Sequence, residues 1–190
     1  TFHGPHICDG HGAMEAMVEQ TDEYYWRAIS GSASNSGAGY AIELEDEQQD
    51  QLISYGAGVA RGPLVGGNLA LVCTLLGTRY AFPMQGTVLL LEDTDEPPYR
   101  IDRFLSQLRL TGALHSVAAI LLGRFSKCEP VTRDHRLENV LQDYFHEFHV
   151  PVLANFPVGH ERDNITMPIG VQVEVDADTR RVTVLNSATR

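Results

Sequence analysis

Two short segments of the chain place a polar side chain directly after an apolar run. Glu92 follows the run at residues 88–91 (VLLL), and His160 follows the apolar segment at residues 151–156 (PVLANF). Because catalytic groups gather at the carboxyl ends of parallel strands, a carboxylate and an imidazole at two such ends are expected to meet. Such a pair performs general-base catalysis, in which the carboxylate orients the imidazole and stabilises its protonated form. We therefore predict a hydrogen bond between Glu92 and His160.

Non-catalytic interpretations of the same residues remain open at this point. Carboxylates are mostly exposed, so Glu92, Asp93, Asp95 and Glu96 also fit a solvated turn, and a histidine in a glycine-containing loop fits an ordinary surface residue. A glycosidase would use two carboxylates as an acid pair. That interpretation ranks below the others, because no aromatic-rich platform for a sugar accompanies the acids.

The elements that must position these residues follow from the hydrophobic pattern. Apolar runs predict buried strands at residues 88–91, 117–122 and 151–156, the second of which ends at Gly123, and alternating valines predict a hairpin at residues 171–184. Apolar side chains at helical spacing predict helices at residues 13–29, 67–76, 101–108 and 137–148. Strands that alternate with helices, followed by a hairpin, predict a mixed α/β domain with a largely parallel sheet.

The N-terminal part of the chain differs in amino-acid composition from the part that follows. A Ser/Gly stretch at residues 31–39 and an acidic, glutamine-rich stretch at residues 43–51 indicate a surface loop or linker. We reject Ser32, Ser34 and Ser36 as nucleophiles. No Gly-x-Ser-x-Gly occurs around them, and no buried strand precedes them to form the strand-to-helix turn that exposes a nucleophilic hydroxyl.

Residues near the N-terminus supply side chains that bind zinc in other proteins. They are His3, His6, Cys8, Asp9 and His11. Their spacing matches no standard ligand pattern, so we predict that no metal binds here.

Gly66, Gly67 and Asn68 lie at the start of a predicted helix, where backbone amides attract phosphate. The segment lacks both the G-x-G-x-x-G spacing and the GK[ST] ending of phosphate-binding loops. We expect the glycines to permit a tight turn onto the sheet and Asn68 to cap the helix.

Composition argues against several classes of partner. The 190 residues carry a formal net charge of −11, and no cluster of Lys and Arg suits nucleic acid or an anionic membrane surface. Cys8, Cys73 and Cys128 are too few and too widely spaced for a disulfide framework, and Cys73 is expected in the core. No apolar run approaches the ~20 residues of a membrane span. These features predict a soluble, cytoplasmic protein that binds neither nucleic acid nor membrane.

Five segments occur in an order that resembles the LD-carboxypeptidase family, which also contains the microcin C immunity peptidases. They are residues 62–69 (GPLVGGNL), 91–103 (LEDTDEPPYRIDR), 122–125 (LGRF), 151–153 (PVL) and 159–170 (GHERDNITMPIG). Residues 1–5 (TFHGP) are similar to the segment that follows that family's nucleophile region. The resemblance runs from residue 1 to near residue 175 and is weakest across residues 7–60.

For structure, the resemblance implies a swivelling β/β/α C-terminal domain at residues 57–190. Residues 1–56 are then the tail of a truncated α/β N-terminal domain, followed by an interdomain helix and linker. The resemblance also implies a Ser-Glu-His triad, whose Glu falls on Glu92 and whose His falls on His160. The serine has no counterpart in the chain, so we expect it a short distance before Thr1 and expect the chain alone to be inactive. No metal and no organic cofactor are implied.

For function, the resemblance implies hydrolysis of the amide that joins an L-configured centre to a terminal D-amino acid. The typical substrate is a murein tetrapeptide released during wall recycling. Two alternatives stay open, namely a non-catalytic binding module of the same fold and an immunity-type peptidase that acts on peptide–nucleotide conjugates. We also expect Met14, Met17, Tyr24 and Trp26 to form an exposed apolar patch that drives association into a homodimer or larger species.

Overall fold

A computed structural model describes residues 1–6, 18–30, 38–130 and 136–189, and an eight-stranded sheet lies at its centre. The strands are β1 (Phe2–His3), β2 (Ala38–Ala41), β3 (Ile53–Ser54), β4 (Val59–Asn68), β5 (Val88–Thr94), β6 (Ala119–Ser126), β7 (Val152–Ala154), β8 (Met167–Pro168), β9 (Gln172–Asp176) and β10 (Arg181–Asn186). The helices are α1 (Glu19–Ser30), α2 (Asp46–Gln51), α3 (Leu69–Leu75), α4 (Pro98–Leu110), α5 (Ala113–Ser116) and α6 (Leu137–Phe145).

The sheet is mixed, with parallel strands in the middle and antiparallel strands on both sides. Its strand order is β2-β10-β9-β4-β5-β6-β7-β3, and β4, β5, β6 and β7 pair in parallel. The hairpin of β9 and β10 continues the sheet from β4 in antiparallel fashion. A separate two-stranded sheet joins β1 to β8. The α/β architecture with a mixed sheet confirms the predicted fold class.

Side chains of β5 and β6 alternate between two hydrophobic clusters, one on each face of the sheet. One cluster joins Leu89, Leu91, Ile120 and Leu122 to apolar residues of α3, α4, α5 and α6. The other joins Val88, Leu90, Ala119 and Leu121 to Tyr24 and to the valines of β9 and β10. Because both faces of β5 and β6 are covered, these strands are continuous apolar runs rather than alternating ones.

The helix boundaries follow local rules that the sequence displays. The Asn68 side chain accepts a hydrogen bond from the Leu71 amide at 3.1 Å, which confirms the predicted cap of α3. Pro98 lies in the first turn of α4, where its missing N–H leaves no helical hydrogen bond unmade. The helices predicted from residues 67, 101 and 137 are present with shifted ends. Of the helix predicted at residues 13–29, the described part is α1, since residues 13–17 lie outside the described residues.

The longest of the described helices is α4, which has 13 residues. Within the described ranges, no helix combines the length and the apolar character that crossing a membrane requires.

Two features of the central strands differ from the sequence prediction. β4 is absent from the sequence prediction, because Gly62, Pro63, Gly66 and Gly67 interrupt the apolar pattern. In the structure, however, a Cβ at Gly62 would collide with the carbonyl oxygen of Gly86, just before β5, and a Cβ at Gly66 with that of Leu90, within β5. β6 was predicted to end at Gly123, but it continues to Ser126. Glycines in these strands therefore mark close backbone approach instead of strand ends.

Residues assigned by the sequence to the N-terminal part contribute edge strands to the same sheet. β2 pairs with β10, and β3 pairs with β7. The division of the chain into residues 1–56 and 57–190 stays a prediction.

The exposed patch expected around α1 is only partly present. Tyr24 is buried, so its predicted exposure is wrong, because its ring packs in the second cluster and its hydroxyl donates to the Glu43 carbonyl oxygen at 3.2 Å. Trp26 is 52% exposed. Met14 and Met17 lie outside the described residues. Association into a homodimer stays a prediction.

The double-sided burial of β5 predicts a large penalty for truncating it. We expect Leu90→Ala to lower the free energy of unfolding by about 2–5 kcal/mol, because Leu90 is fully buried and leaves a cavity. Leu110→Ala is the matched control, since Leu110 is 82% exposed and should change stability by no more than about 0.5 kcal/mol. Urea unfolding of both variants measures the difference. Equal effects would contradict the two-cluster description.

Candidate active site

Glu92 is aimed by an irregularity between β5 and β6. Leu91 pairs with Leu122, but Asp93 pairs with Phe125, so β6 carries one extra residue opposite Glu92. Such bulges redirect a side chain next to a strand end. A Cβ at Gly123 would be only 2.9 Å from the Glu92 Cβ, so glycine is required for the two strands to approach this closely. The bulge and the glycine place Glu92 under the loop that follows β7.

His160 lies in that loop and contacts Glu92. Its Nδ1 is 2.7 Å from Glu92 Oε2, so the predicted hydrogen bond between the two side chains is present. Gly159 has φ of +149°, and a Cβ there would be 3.0 Å from the Arg124 carbonyl oxygen and 3.3 Å from Glu92 Oε2. Glycine thus permits His160 to sit directly above the carboxylate. The catalytic use of the two residues stays a proposal.

Hydrogen bonds and ion pairs stabilise the loop that carries His160. The Asn164 side chain donates to the Gly159 carbonyl oxygen at 2.7 Å and accepts from the Gly159 amide at 3.2 Å. The backbone amide of Asn164 in turn donates to the Thr21 hydroxyl at 2.9 Å, which links the loop to α1. Arg124 forms ion pairs with Glu161 and Asp163 on the same loop. The imidazole is therefore held by a fixed backbone.

A second imidazole contacts the same carboxylate. His3 Nε2 lies 3.2 Å from Glu92 Oε1, so each carboxylate oxygen has its own histidine partner. The sequence pattern did not indicate this role, because the residue types around His3 suggested only metal ligands. The resemblance of residues 1–5 to a family segment was the one signal that could have pointed to it.

Burial determines the electrostatics of this cluster. Glu92 is completely buried, and a buried carboxylate is stable only when hydrogen-bond donors compensate its charge. The two imidazoles are placed to be such donors, through Nδ1–H of His160 and Nε2–H of His3. When Nδ1–H of His160 donates to the carboxylate, the neutral imidazole leaves Nε2 as its unprotonated nitrogen.

The neighbouring acids have separate partners and do not share this site. Asp93 is buried, so the alternative of a solvated turn does not apply to it: it accepts from the Asn68 side chain at 2.8 Å and from the Ala70 amide at 3.0 Å. Asp93 thereby helps to hold the N-terminus of α3. Asp95 is exposed, and Glu96 pairs with Arg100 at 3.0 Å. Of the four acids, Glu92 alone meets the imidazoles.

Glu92, His3 and His160 line a cleft of about 1030 Å³. Its apolar lining residues include Phe2, Leu71, Val72, Leu75 and Phe82. Its polar lining residues include His6, Glu161 and Arg162. The cleft is large enough for a ligand of peptide size, and Glu92 and His160 lie in its lining.

Other candidate groups give no alternative chemistry in the described part of the chain. Burial raises the pKa of the Cys73 thiol to about 12 and that of the Cys128 thiol to about 11, so neither is a thiolate near neutral pH. No group of three or more His, Cys, Asp or Glu side chains among the described residues could hold a metal ion. Cys8, Asp9 and His11 lie outside the described residues, as do Ser32, Ser34 and Ser36.

A family model described as the LD-carboxypeptidase C-terminal domain matches residues 61–175. The chain belongs to the LD-carboxypeptidase family. The matched range contains both Glu92 and His160, whereas His3 precedes it.

Relatives of known name extend the match over most of the chain. A "probable murein peptide carboxypeptidase" of Bacillus subtilis (strain 168) is 39% identical over 178 residues, which are 93% of this chain and 53% of the relative. The murein tetrapeptide carboxypeptidase of Pseudomonas aeruginosa (strain PAO1) is 33% identical over 63% of this chain and 39% of its own length. The chain spans about half the length of the curated relatives that it matches.

A solved structure shares the fold. The microcin C7 self-immunity protein MccF, determined with adenosine monophosphate, superposes with a TM-score of 0.85 over 100% of this chain and 62% of MccF. Sequence identity in that comparison is 22%, so the likeness establishes the fold alone.

The close approach at Gly159 predicts a selective effect of adding a methyl group there. In Gly159→Ala the new Cβ presses on the Arg124 carbonyl and the Glu92 carboxylate, so we expect the distance from His160 Nδ1 to Glu92 Oε2 to exceed 3.5 Å, the limit of a hydrogen bond. Gly58→Ala is the control, because Gly58 also has a positive φ of +96° but no atom within 4 Å of the added Cβ. Crystal structures of both variants measure the distance. An unchanged pair in Gly159→Ala would contradict the packing argument.

Proposed function

We propose that this chain supplies the histidine and the glutamate of a serine peptidase that releases a terminal D-amino acid from a murein-derived peptide. The observation that carries the proposal is the hydrogen bond of 2.7 Å between a fully buried Glu92 and a half-exposed His160 in the lining of a cleft. A carboxylate bonded to one imidazole nitrogen, with the other nitrogen left for proton transfer, is the arrangement that activates a hydroxyl nucleophile.

The nucleophile in this proposal is a serine that precedes Thr1. Support comes from the course of the chain, because Thr1, Phe2 and His3 lie in the wall of the cleft beside Glu92. A segment arriving there from an upstream strand-to-helix turn would bring its hydroxyl to the same cleft. The relatives are longer than the part that this chain matches, which leaves room for a further segment in the whole protein.

The proposed reaction proceeds through an acyl-enzyme. His160 Nε2 takes the serine proton as the oxygen attacks the carbonyl of the L-D amide, and the tetrahedral oxyanion is held by backbone amides of the upstream segment. His160 then gives the proton to the leaving nitrogen, and the D-amino acid departs with a free amine. Water attacks the ester next, again through His160, and the serine is regenerated. Glu92 stays ionised and stabilises the imidazolium in both halves of the reaction.

Arg162 is the proposed contact for the terminal carboxylate of the substrate. It is the one Arg or Lys side chain among the described residues of the cleft lining, and it lies two residues from His160. Arginine recognises carboxylates through paired, charge-assisted hydrogen bonds. A cation near the histidine suits an enzyme that removes the last residue of a peptide.

A second candidate is a peptidase of the MccF type, acting on a peptide–nucleotide conjugate. It is favoured by the extent of the MccF match, which is 24% identical across 97% of this chain. The murein peptide substrate ranks first, because the Bacillus relative is 39% identical across a similar share of the chain. A binding module without catalysis is the remaining alternative. We place the enzyme in the cytoplasm as a homodimer that needs no cofactor, in keeping with a role in wall recycling.

Replacing the pair tests the proposed chemistry in the protein that carries this chain together with its nucleophile. We expect Glu92→Gln to lower kcat on a murein tetrapeptide by up to about 10⁴-fold, because the amide cannot hold the catalytic tautomer or stabilise the imidazolium. His160→Ala should lose at least as much, since no group then takes the serine proton. Release of D-alanine measures the rate.

Asp95→Asn is the control for these variants, because Asp95 is exposed and tolerates asparagine at its positive φ of 58°. Near-normal turnover by Glu92→Gln would disprove the assigned role. Asp93→Asn is unsuitable as a control, since Asp93 holds the start of α3.

The carboxylate contact has its own test. We expect Arg162→Met to raise KM for the tetrapeptide by about 10–100-fold, the scale of a charge-assisted hydrogen bond, and to leave kcat nearly unchanged. A tetrapeptide with an amidated C-terminus should be a poor substrate for both proteins and should show no further loss in the variant. Arg61→Met is the control, because Arg61 lies on the surface and pairs with Glu174. Equal losses on both peptides would rule out carboxylate recognition by Arg162.

A further inference from the structure

We infer that His3 is a positioning residue that holds the Glu92 carboxylate in place for His160. Its Nε2 lies 3.2 Å from Glu92 Oε1, the oxygen that His160 does not contact. The inference deepens the proposed function and rests on it, because orienting the carboxylate affects catalysis only if Glu92 and His160 act as proposed.

The His3 ring is fixed against the carboxylate by its surroundings. β1 pairs with β8, with His3 opposite Met167, and the Ile169 amide donates to the Thr1 carbonyl oxygen at 2.9 Å. Beside the ring, a Cβ at Gly67 would be 3.2 Å from His3 Cδ2, so the imidazole lies directly on glycine backbone. The segment is anchored on one side and packed on the other, which makes His3 a stationary hydrogen-bond donor.

The tautomer of His3 follows from burial. Its Nδ1 is buried and has no hydrogen-bond partner among the described residues. A proton on Nδ1 would leave a buried donor unsatisfied and would turn the Nε2 lone pair toward the carboxylate. A proton on Nε2 satisfies Glu92 Oε1 and leaves only an unprotonated Nδ1 buried. His3 is therefore protonated on Nε2, whereas His160 is protonated on Nδ1.

A second donor matters because the carboxylate torsion of a glutamate is soft. The terminal torsion has broad preferences, so one hydrogen bond alone leaves the carboxylate plane free to rotate. Donors on separate oxygens fix that plane and thereby the direction in which Oε2 meets His160. Without His3, Oε1 would be a buried acceptor with no donor, and the carboxylate would turn away from the orientation that His160 requires.

Exposure separates the roles of the two imidazoles. The His160 side chain is 48% exposed, whereas that of His3 is 19% exposed and has its second nitrogen buried. His160 can exchange a proton with a substrate in the cleft, and His3 cannot. The two residues contact one carboxylate but divide positioning from proton transfer.

Two substitutions at His3 test the inference in the full protein that contains the nucleophile. His3→Gln keeps a donor at the position of Nε2, whereas His3→Leu has similar bulk and no donor. We expect His3→Leu to lower kcat by about 10–100-fold with little change in KM, the scale seen when an orienting partner is lost, and His3→Gln to recover most of that loss. Equal losses in the two variants, or full activity of His3→Leu, would overturn the inference.

Two further measurements keep the outcome decisive. Nitrogen-15 spectra of the histidines should show His3 protonated on Nε2 and His160 protonated on Nδ1, and a proton on His3 Nδ1 would overturn the inference whatever the kinetics. If His3→Leu does not fold, His3→Asn replaces it, because the shorter amide does not reach Glu92 and should lose activity where His3→Gln retains it. A wild-type protein that cleaves neither candidate peptide would defeat the proposed function and this inference together. An active wild type with a fully active donor-free variant would defeat this inference alone.

Discussion

The burial of the Glu92 carboxylate is the constraint on which the site depends. A charge with no access to water must be compensated by donors at short range, so the surrounding chain has to bring N–H groups to both oxygens. Close backbone approach makes this possible: glycine at 67, 123 and 159 lets His3, β6 and the His160 loop come within contact of the glutamate. Glycines that look like interruptions of the apolar pattern are therefore required by the geometry around one side chain.

The sheet brings distant parts of the chain together around this carboxylate. The parallel pairing of β5 with β6 and of β6 with β7 brings Glu92 and the loop after β7 to the same edge. β1 reaches that edge by a different route, through its pairing with β8. Asp93, the residue after Glu92, holds the start of α3, whose Leu71 and Leu75 belong to the apolar lining of the cleft. Consecutive residues of one strand end thus position both the two imidazoles and part of the cleft lining.

The sequence predicted what depends on local pattern and missed what depends on long-range packing. Apolar runs were sufficient to place β5, β6 and β7, and the family resemblance singled out Glu92 and His160, which make contact across 68 positions. β4 was not predicted, because its glycines and proline suit a close approach to β5, and such an approach leaves no hydrophobic periodicity in the sequence. The burial of Asp93 was not predicted, because its partners lie 23 to 25 positions away at the start of α3: the Ala70 backbone amide and the Asn68 side chain. His3 is 89 positions from Glu92, and only the resemblance of its segment hinted at a role.

Under the proposed function, the base is organised before a nucleophile arrives. Among the described residues, two imidazoles contact the carboxylate, the Asn164 side chain bonds to the loop backbone, and Thr21 accepts from the Asn164 backbone amide. A site whose dipoles are already oriented spends no free energy on reorganisation when charge develops in the transition state. A hydroxyl brought to the cleft would meet an imidazole already set in tautomer and direction, so it needs only position to become reactive. Under the proposed function, the histidine and the glutamate lie on one part of the protein and the serine on another, so the approach of the two parts would complete the site.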